Sequence, residues 1–300
     1  MSSNIVDIAA WVALASDQDK REQREAVHVI LEAISHDEYL KEEMIMKGGT
    51  LMSIAHDSPR FSRDIDYSTQ NKYDTKILKA LISDIDGGLQ KSSAKMIDYN
   101  IACVIQSYKI KPKSENASFP TLSIKIGYAK RSNMRAMKRL LAKQSSSIIK
   151  IDYSFNEKIL SVDRFDIGDG SVVISYSLYD LIAEKIRSIL QQDERERNRR
   201  QDVFDLYHLI SKYSFSSENK SIIHKSVVIK SESRGIDANF RSLENPSLRE
   251  RARKGYEDLD VEVPFQELDF DKQYDVVVEF YRSLPWDLKG SPQETDFKAR

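Results

Sequence analysis

Met44-Ile45-Met46-Lys47-Gly48-Gly49-Thr50, followed by Leu51 to His56 and then by Ser58-Pro59-Arg60-Phe61-Ser62-Arg63-Asp64-Ile65-Asp66, is the stretch on which the fold of this chain turns. The apolar Met44-Ile45-Met46 reads as a short strand and Leu51 to His56 as a helix, so the two glycines fall in the elbow between them. Glycine lets backbone approach a ligand closely, and a new helix presents unbonded N–H groups at its start. That arrangement suits a triphosphate. Pro59 marks a turn, and Arg63 to Tyr67 reads as the next strand. Residues two apart on a strand face the same side, so Asp64 and Asp66 present paired carboxylates. Like charges so close repel, and Asp is a poor strand former, so the pair calls for a compensating cation. Mg²⁺, a hard ion that takes carboxylate and phosphate oxygens together, fits. An ordinary turn before a solvated edge strand is the plainer account of the same residues.

Upstream, Val27, Ile30, Leu31 and Ile34 recur at helical spacing over 22–36. Downstream, Ile77, Leu78, Leu81, Ile82 and Ile85 mark another helix, which Gly87-Gly88 is expected to stop. Strands are expected near 96–108, 121–129, 148–155 and 171–176, with a basic helix near 133–144. This mixture predicts an α/β (α+β) sheet domain over 1–176. Beyond Tyr176 the pattern turns mainly helical, predicting a second domain over 177–300. Ser177 and Asp180 have capping-box spacing, residues 214–221 loosen the pattern, and 222–243 fit strand or helix.

The 300 residues carry 46 Lys+Arg and 47 Asp+Glu, a net charge of −1. A 40% hydrophobic share supports a core, and no run is long and apolar enough to cross a bilayer. The N-terminus, broken by Asp7 and lacking a leading basic residue, reads as an amphipathic helix of a cytoplasmic protein, not an export signal. Cys103, the 1 cysteine, sits among Ile101, Ala102, Val104 and Ile105 and reads as a packing thiol; it excludes an internal disulfide and a cysteine zinc cluster. The 5 histidines are scattered without metal-ligand spacing. The charges are strongly segregated. From Asn116 to Ile151 there are basic residues and no acid, whereas from Gly255 to Asp275 the acids dominate. The acidic stretch either shields the basic one within the chain or meets a partner.

Two further residues draw notice on physical grounds. Lys185 lies four residues from both Leu181 and Ile189, on the apolar stripe of its helix, and must snorkel to water or meet an anion. Asp202 opens the next helix, where its charge suits the dipole, and a plain terminal role accounts for it. Asp205 reads as a structural partner for Arg199 or Arg200.

Lys47-Gly48-Gly49-Thr50 with Ser58 to Asp66 resembles the first motif of the AbiEii/AbiGii nucleotidyltransferase toxins, within the DNA polymerase β-like nucleotidyltransferase superfamily. Ala183-Glu184-Lys185-Ile186-Arg187 and Arg200-Gln201-Asp202-Val203-Phe204-Asp205-Leu206 are similar to the family's next motifs, so the resemblance runs from about 44 to 212. It implies a polymerase β-like sheet domain followed by a mainly helical domain that contributes Lys185 and Asp202 to the site. It also implies that Gly48, Gly49, Thr50, Arg60 and Lys185 meet the nucleotide and that Asp64 and Asp66 hold Mg²⁺. Lys185 would stabilise the leaving pyrophosphate, and Asp202 would position Lys185, a metal or the acceptor. Such sites often add a third carboxylate from a neighbouring strand. Asp152 is the candidate, with Asp163 and Asp166 as competitors.

The implied reaction is transfer of NMP from an NTP to an acceptor hydroxyl, with Asp152 or Asp202 helping to deprotonate it. Some family members add nucleotides to the 3′ end of tRNA, which blocks aminoacylation, and the toxins usually act beside a cognate antitoxin. The acid-free segment offers Lys130, Arg131, Arg135, Lys138 and Arg139 as an RNA-binding path. Two rival readings remain: modification of a protein hydroxyl, and a non-catalytic NTP-binding module.

Overall fold

The structure, a computed structural model, describes residues 4–113, 117–263 and 267–286. Asn116, the first residue of the acid-free segment, and residues 287–300 of the expected C-terminal domain lie outside the described residues. The chain divides into two compact units: Met1–Leu181 with Asp260–Gln266, and Ile182–Leu259 with Glu267–Arg300.

The first unit is mixed α/β. Its strands are β1 (Asn4–Ile5), β2 (Ile45–Lys47), β3 (Asp64–Ser68), β4 (Ile101–Lys111), β5 (Thr121–Lys130), β6 (Ile148–Ser154), β7 (Val162–Asp166) and β8 (Val172–Tyr176). They form one sheet in the order β1-β7-β8-β2-β3-β6-β5-β4. β3 and β6 run parallel, β2 and β3 antiparallel. Around it lie α1 (Ile8–Ala13), α2 (Gln18–Ser35), α3 (Glu38–Glu43), α4 (Gly48–Ala55), α5 (Thr75–Lys95) and α6 (Met134–Leu141). Alternation decides the two faces. On β6, Ile149, Ile151 and Tyr153 are buried while Ile148, Lys150, Asp152 and Ser154 are not. The apolar set joins Ile65, Leu122, Ile124 and Ile126 in a core with the α2 residues Val27, Ile30 and Leu31.

The predicted stop at Gly87-Gly88 is wrong: α5 runs through both glycines. A Cβ on Gly88 would lie 2.7 Å from the Ala33 carbonyl oxygen of α2, so this glycine serves close helix packing. Cys103 is buried on β4, and desolvation raises its thiol pKa to about 12, as a packing role requires. β1 and β7 escaped the sequence reading, being short or rich in charge.

α7 (Leu178–Leu190) crosses the division between the units. Ser177 does cap it, its Oγ accepting from the Asp180 amide at 3.2 Å. The second unit continues with α8 (Gln192–Arg195), α9 (Arg200–Lys212), α10 (Ser217–Glu232), α11 (Pro246–Arg253) and α12 (Phe270–Arg282). The ambiguous 222–243 segment is helical as far as Glu232, and the serines at 214–221 do not loosen the pattern but start it: Ser216 and Asn219 form a reciprocal capping box. Val203, Leu206 and Leu209 of α9 are buried together with Tyr274, Val277 and Tyr281 of α12.

Candidate active site

β2, β3, β6 and β5 bring one row of side chains across the open face of the sheet. Lys47 pairs in register with Asp66, Asp66 with Asp152, and Asp152 with Ser123. The adjacent row places Asp64 beside Lys150 and Lys150 beside Lys125. Asp64, Asp66 and Asp152 therefore share a face on neighbouring strands. Asp163 instead pairs with Ser175 on β8, and Asp166 accepts from the Gly168 amide at 2.7 Å as a turn residue.

The elbow is built against this row. Gly48 has φ +79°, and a Cβ there would lie 2.2 Å from Asp66 Oδ2. At Gly49 a Cβ would come within 2.6 Å of Arg60 Nη2 and 2.9 Å of Ser62 Oγ. Both glycines are thus fixed by the carboxylate and the buried guanidinium behind them. α4 begins at Gly48, and its N-cap, Lys47, makes no side-chain capping bond, which leaves the first-turn amides for other acceptors. Thr50 is buried, and its hydroxyl donates to the Asp64 carbonyl at 2.6 Å; it braces β3. Arg60 is buried too and pairs with Glu262 at 3.2 Å.

Charge on this face is only partly balanced. The Lys150 ammonium lies 3.2 Å from Asp64 Oδ2 and also contacts Asp152 Oδ2. Burial disfavours its charge, but the Asp152 hydrogen bond and the two carboxylates outweigh that and raise its pKa. Asp66 also titrates above the ordinary carboxylate range. Desolvation is the main cause, with Asp152 and Asp64 adding to it and Lys47 and Lys150 opposing. Asp152 Oδ1 is buried without a hydrogen-bond partner. Hard carboxylate oxygens, a raised carboxyl pKa and an unsatisfied buried oxygen fit a divalent hard cation. Among the described residues no group of three or more His, Cys, Asp or Glu stands ready to hold a metal by itself, so other oxygens would have to complete the shell. Sequence reading missed the bridging role of Lys150, although its position two residues before Asp152 was the available signal.

The motif residues of the second unit form their own cluster. Lys185 Nζ lies 2.6 Å from Asp205 Oδ2 and 3.2 Å from Asp202 Oδ1. Asp205 is fully buried and the Lys185 side chain nearly so. The lysine on the apolar stripe thus meets anions. The expectation that Asp205 serves Arg199 or Arg200 is corrected: Arg199 approaches Asp202 at 3.8 Å, Arg200 pairs with Asp258 at 3.0 Å, and the fully buried Asp205 pairs with Lys185 at 2.6 Å. Glu184 contacts Arg187 and lies 3.7 Å from the buried Lys230.

The five-residue basic set does not act as one surface. Lys130 contacts Glu25 and donates to the Tyr99 carbonyl at 2.8 Å, on the face opposite the aspartates. Arg131 donates to the Ser93 carbonyl at 3.4 Å. Arg135 and Arg139 of α6 border a cavity of about 460 Å³ together with Lys130, Asn133 and Ser145, and Lys138 is not among its lining residues. Acids of the acidic stretch meet other cations within their own units. Asp271 and Asp275 pair with Arg249 at 2.6 and 2.8 Å, and Glu262 pairs with Arg60.

The profile of the nucleotidyl transferase AbiEii toxin family, Type IV TA system, matches residues 29–278. The chain belongs to this family. It is accordingly a nucleotidyltransferase of a toxin–antitoxin family, and the family implies an antitoxin as its counterpart. No curated protein matches it. Among solved structures, JHP933 from Helicobacter pylori is similar at 16% identity and a TM-score of 0.46, over 89% of this chain and 91% of that one. A second H. pylori protein, provisionally assigned as a nucleotidyltransferase, is similar at 14% identity and a TM-score of 0.44, over 87% and 92%. Among the described residues no helix is long and apolar enough to span a membrane.

Proposed function

We propose that this AbiEii-family member transfers NMP from an NTP to an acceptor hydroxyl at the 3′ end of an RNA, most plainly a tRNA, and thereby acts as a growth-arresting toxin. The observation that carries the reading is the register Asp66–Asp152 beside Asp64, with the Gly48 backbone pressed against Asp66. Asp64 and Asp66 hold a divalent cation, Mg²⁺ by preference, which when bound neutralises phosphate charge and orients the nucleotide. The backbone at Gly48 and Gly49 lies close to where the phosphates sit, because no side chain intervenes there. Asp152, through its unpartnered Oδ1, accepts the proton of the acceptor hydroxyl. The hydroxyl oxygen bonds to the α-phosphorus as the bond to the bridging oxygen breaks, and pyrophosphate leaves. Within the second unit, Asp202 and Asp205 hold the ammonium of Lys185, the residue to which the resemblance gives a phosphate-contacting role.

The test is incubation of the purified protein with Mg²⁺ and each labelled NTP in turn, with total RNA and separately with cell protein. Label in a tRNA-sized band that Asp66→Ala and Lys185→Ala abolish supports the reading. Label in protein alone replaces RNA by a protein hydroxyl. NTP binding without pyrophosphate release leaves a binding module.

A further inference from the structure

β4 and β5 carry the aspartate face onward as a basic strip. In register, Lys125 lies opposite Lys150 and Ser107, Ser123 opposite Asp152 and Lys109, and Thr121 opposite Ser154 and Lys111. The side chains on this part of the face are therefore Ser107, Lys109, Lys111, Thr121, Ser123 and Lys125. They are lysines and hydroxyls, with no acid and no aromatic ring. Lys109, Lys111 and Lys125 are exposed, and among the described residues none makes an ion pair; Lys111 donates to Ser123 Oγ at 3.4 Å. The carboxylates of β3 and β6 draw in Lys150 but leave these three unpaired.

Two physical points separate this strip from ordinary solvated surface. Lysines on an edge strand discourage sheet-to-sheet pairing, which accounts for Lys109 and Lys111 on β4. It does not account for Lys125, which stands on the interior strand β5 directly across from Lys150. Like charges opposed across a ladder repel, and because Asp64 and Asp152 already hold Lys150, Lys125 is the member of that pair with no carboxylate of its own. Spacing then indicates the kind of anion that suits the strip. Lys109 and Lys111 are two residues apart, about 7 Å along the strand, and neighbouring strands lie about 4.8 Å apart, so the strip runs roughly 10 Å from the Asp152 strand to β4. A row of cations at that pitch suits successive phosphates, and the lack of rings and base-reading amides suits a backbone contact without sequence readout.

We propose that Lys109, Lys111 and Lys125 form a phosphate ladder that guides the backbone of an RNA acceptor across the sheet toward Asp64, Asp66 and Asp152. The inference rests on the nucleotidyl-transfer reading above and replaces Lys130 and Arg131, which face the other way, as the nearest backbone contacts. Contact with phosphate releases counterions, so affinity falls steeply with salt, with a slope near 0.7 to 0.9 per contact.

The test measures binding of a hairpin RNA with a single-stranded 3′ end by fluorescence anisotropy across a salt series. The full chain is compared with Lys109→Gln/Lys111→Gln/Lys125→Gln and with the matching triple arginine variant. The expected result is a glutamine variant whose salt slope drops by about 2 to 3. Its binding of a fluorescent NTP and its thermal midpoint stay unchanged, and arginine retains the slope. An unchanged RNA slope in the glutamine variant overturns the ladder alone, and loss of RNA binding on substituting Arg135 and Arg139 would then move the contact to α6. Absence of RNA binding by the unmodified chain, with NTP binding intact, overturns both the ladder and the RNA acceptor. Absence of NTP binding as well overturns the nucleotidyl-transfer reading itself.

Discussion

The two charge clusters of this molecule use the same residue types to opposite ends. In the first unit, three aspartates lie on adjacent strands, one lysine bridges two of them, and a buried Asp152 oxygen goes unsatisfied. In the second, Lys185 is closed off between Asp202 and Asp205, with almost no solvent contact. An under-neutralised cluster is eased when one of its carboxylates loses its charge. A buried, self-compensated one is costly to break and holds its members still.

The comparison yields graded expectations. Asp205→Ala removes the nearer, fully buried carboxylate from the Lys185 ammonium and leaves Asp202 in contact, and a denaturant titration should show a loss of about 3 kcal/mol. A loss below about 1 kcal/mol would mean the second cluster is not closed. Asp66→Asn should act the other way round: NMP transfer drops by roughly a hundredfold or more, while the unfolding midpoint measured without metal holds or rises, since a repelled carboxylate has been removed. Lys150→Gln leaves the first cluster without its bridge and should cost on the order of 1 kcal/mol in metal-free buffer. Added Mn²⁺ should recover that loss by binding the carboxylates, as a thermal-shift series would show. The smallest effect belongs to pairing at the surface. Arg253 and Arg249 hold the exposed Asp271 carboxyl well below the ordinary range of 3.8. Its contribution is present above 3.8 and is lost as pH falls below that value, so Asp271→Asn should flatten the acid limb of the stability curve.

Part of this was legible beforehand because it depends on local pattern. The Gly48-Gly49 elbow, the Asp64/Asp66 pair and the anion demand of Lys185 follow from spacing along single elements, and so does the buried thiol of Cys103. Gly87-Gly88 shows where such reading fails: glycine's low helix propensity argued for a stop, but contact with Ala33, far away in the chain, decided otherwise. The Ser-rich stretch failed the other way, since Ser216 serves as a cap only once a helix follows it.

By itself, then, the sequence determined which side chains alternate toward solvent, which glycines permit close approach and which family motifs recur in order. Those are properties of a segment and its period. Tertiary structure alone decided that Asp152 lies beside Asp66, that Lys150 bridges two strands, that Asp205 pairs with Lys185 instead of Arg199 or Arg200, and that Lys130 turns away while Lys125 does not. Each depends on strand register or helix packing between distant segments, and a shift of one residue in register would have sent every one of those strand side chains to the opposite face.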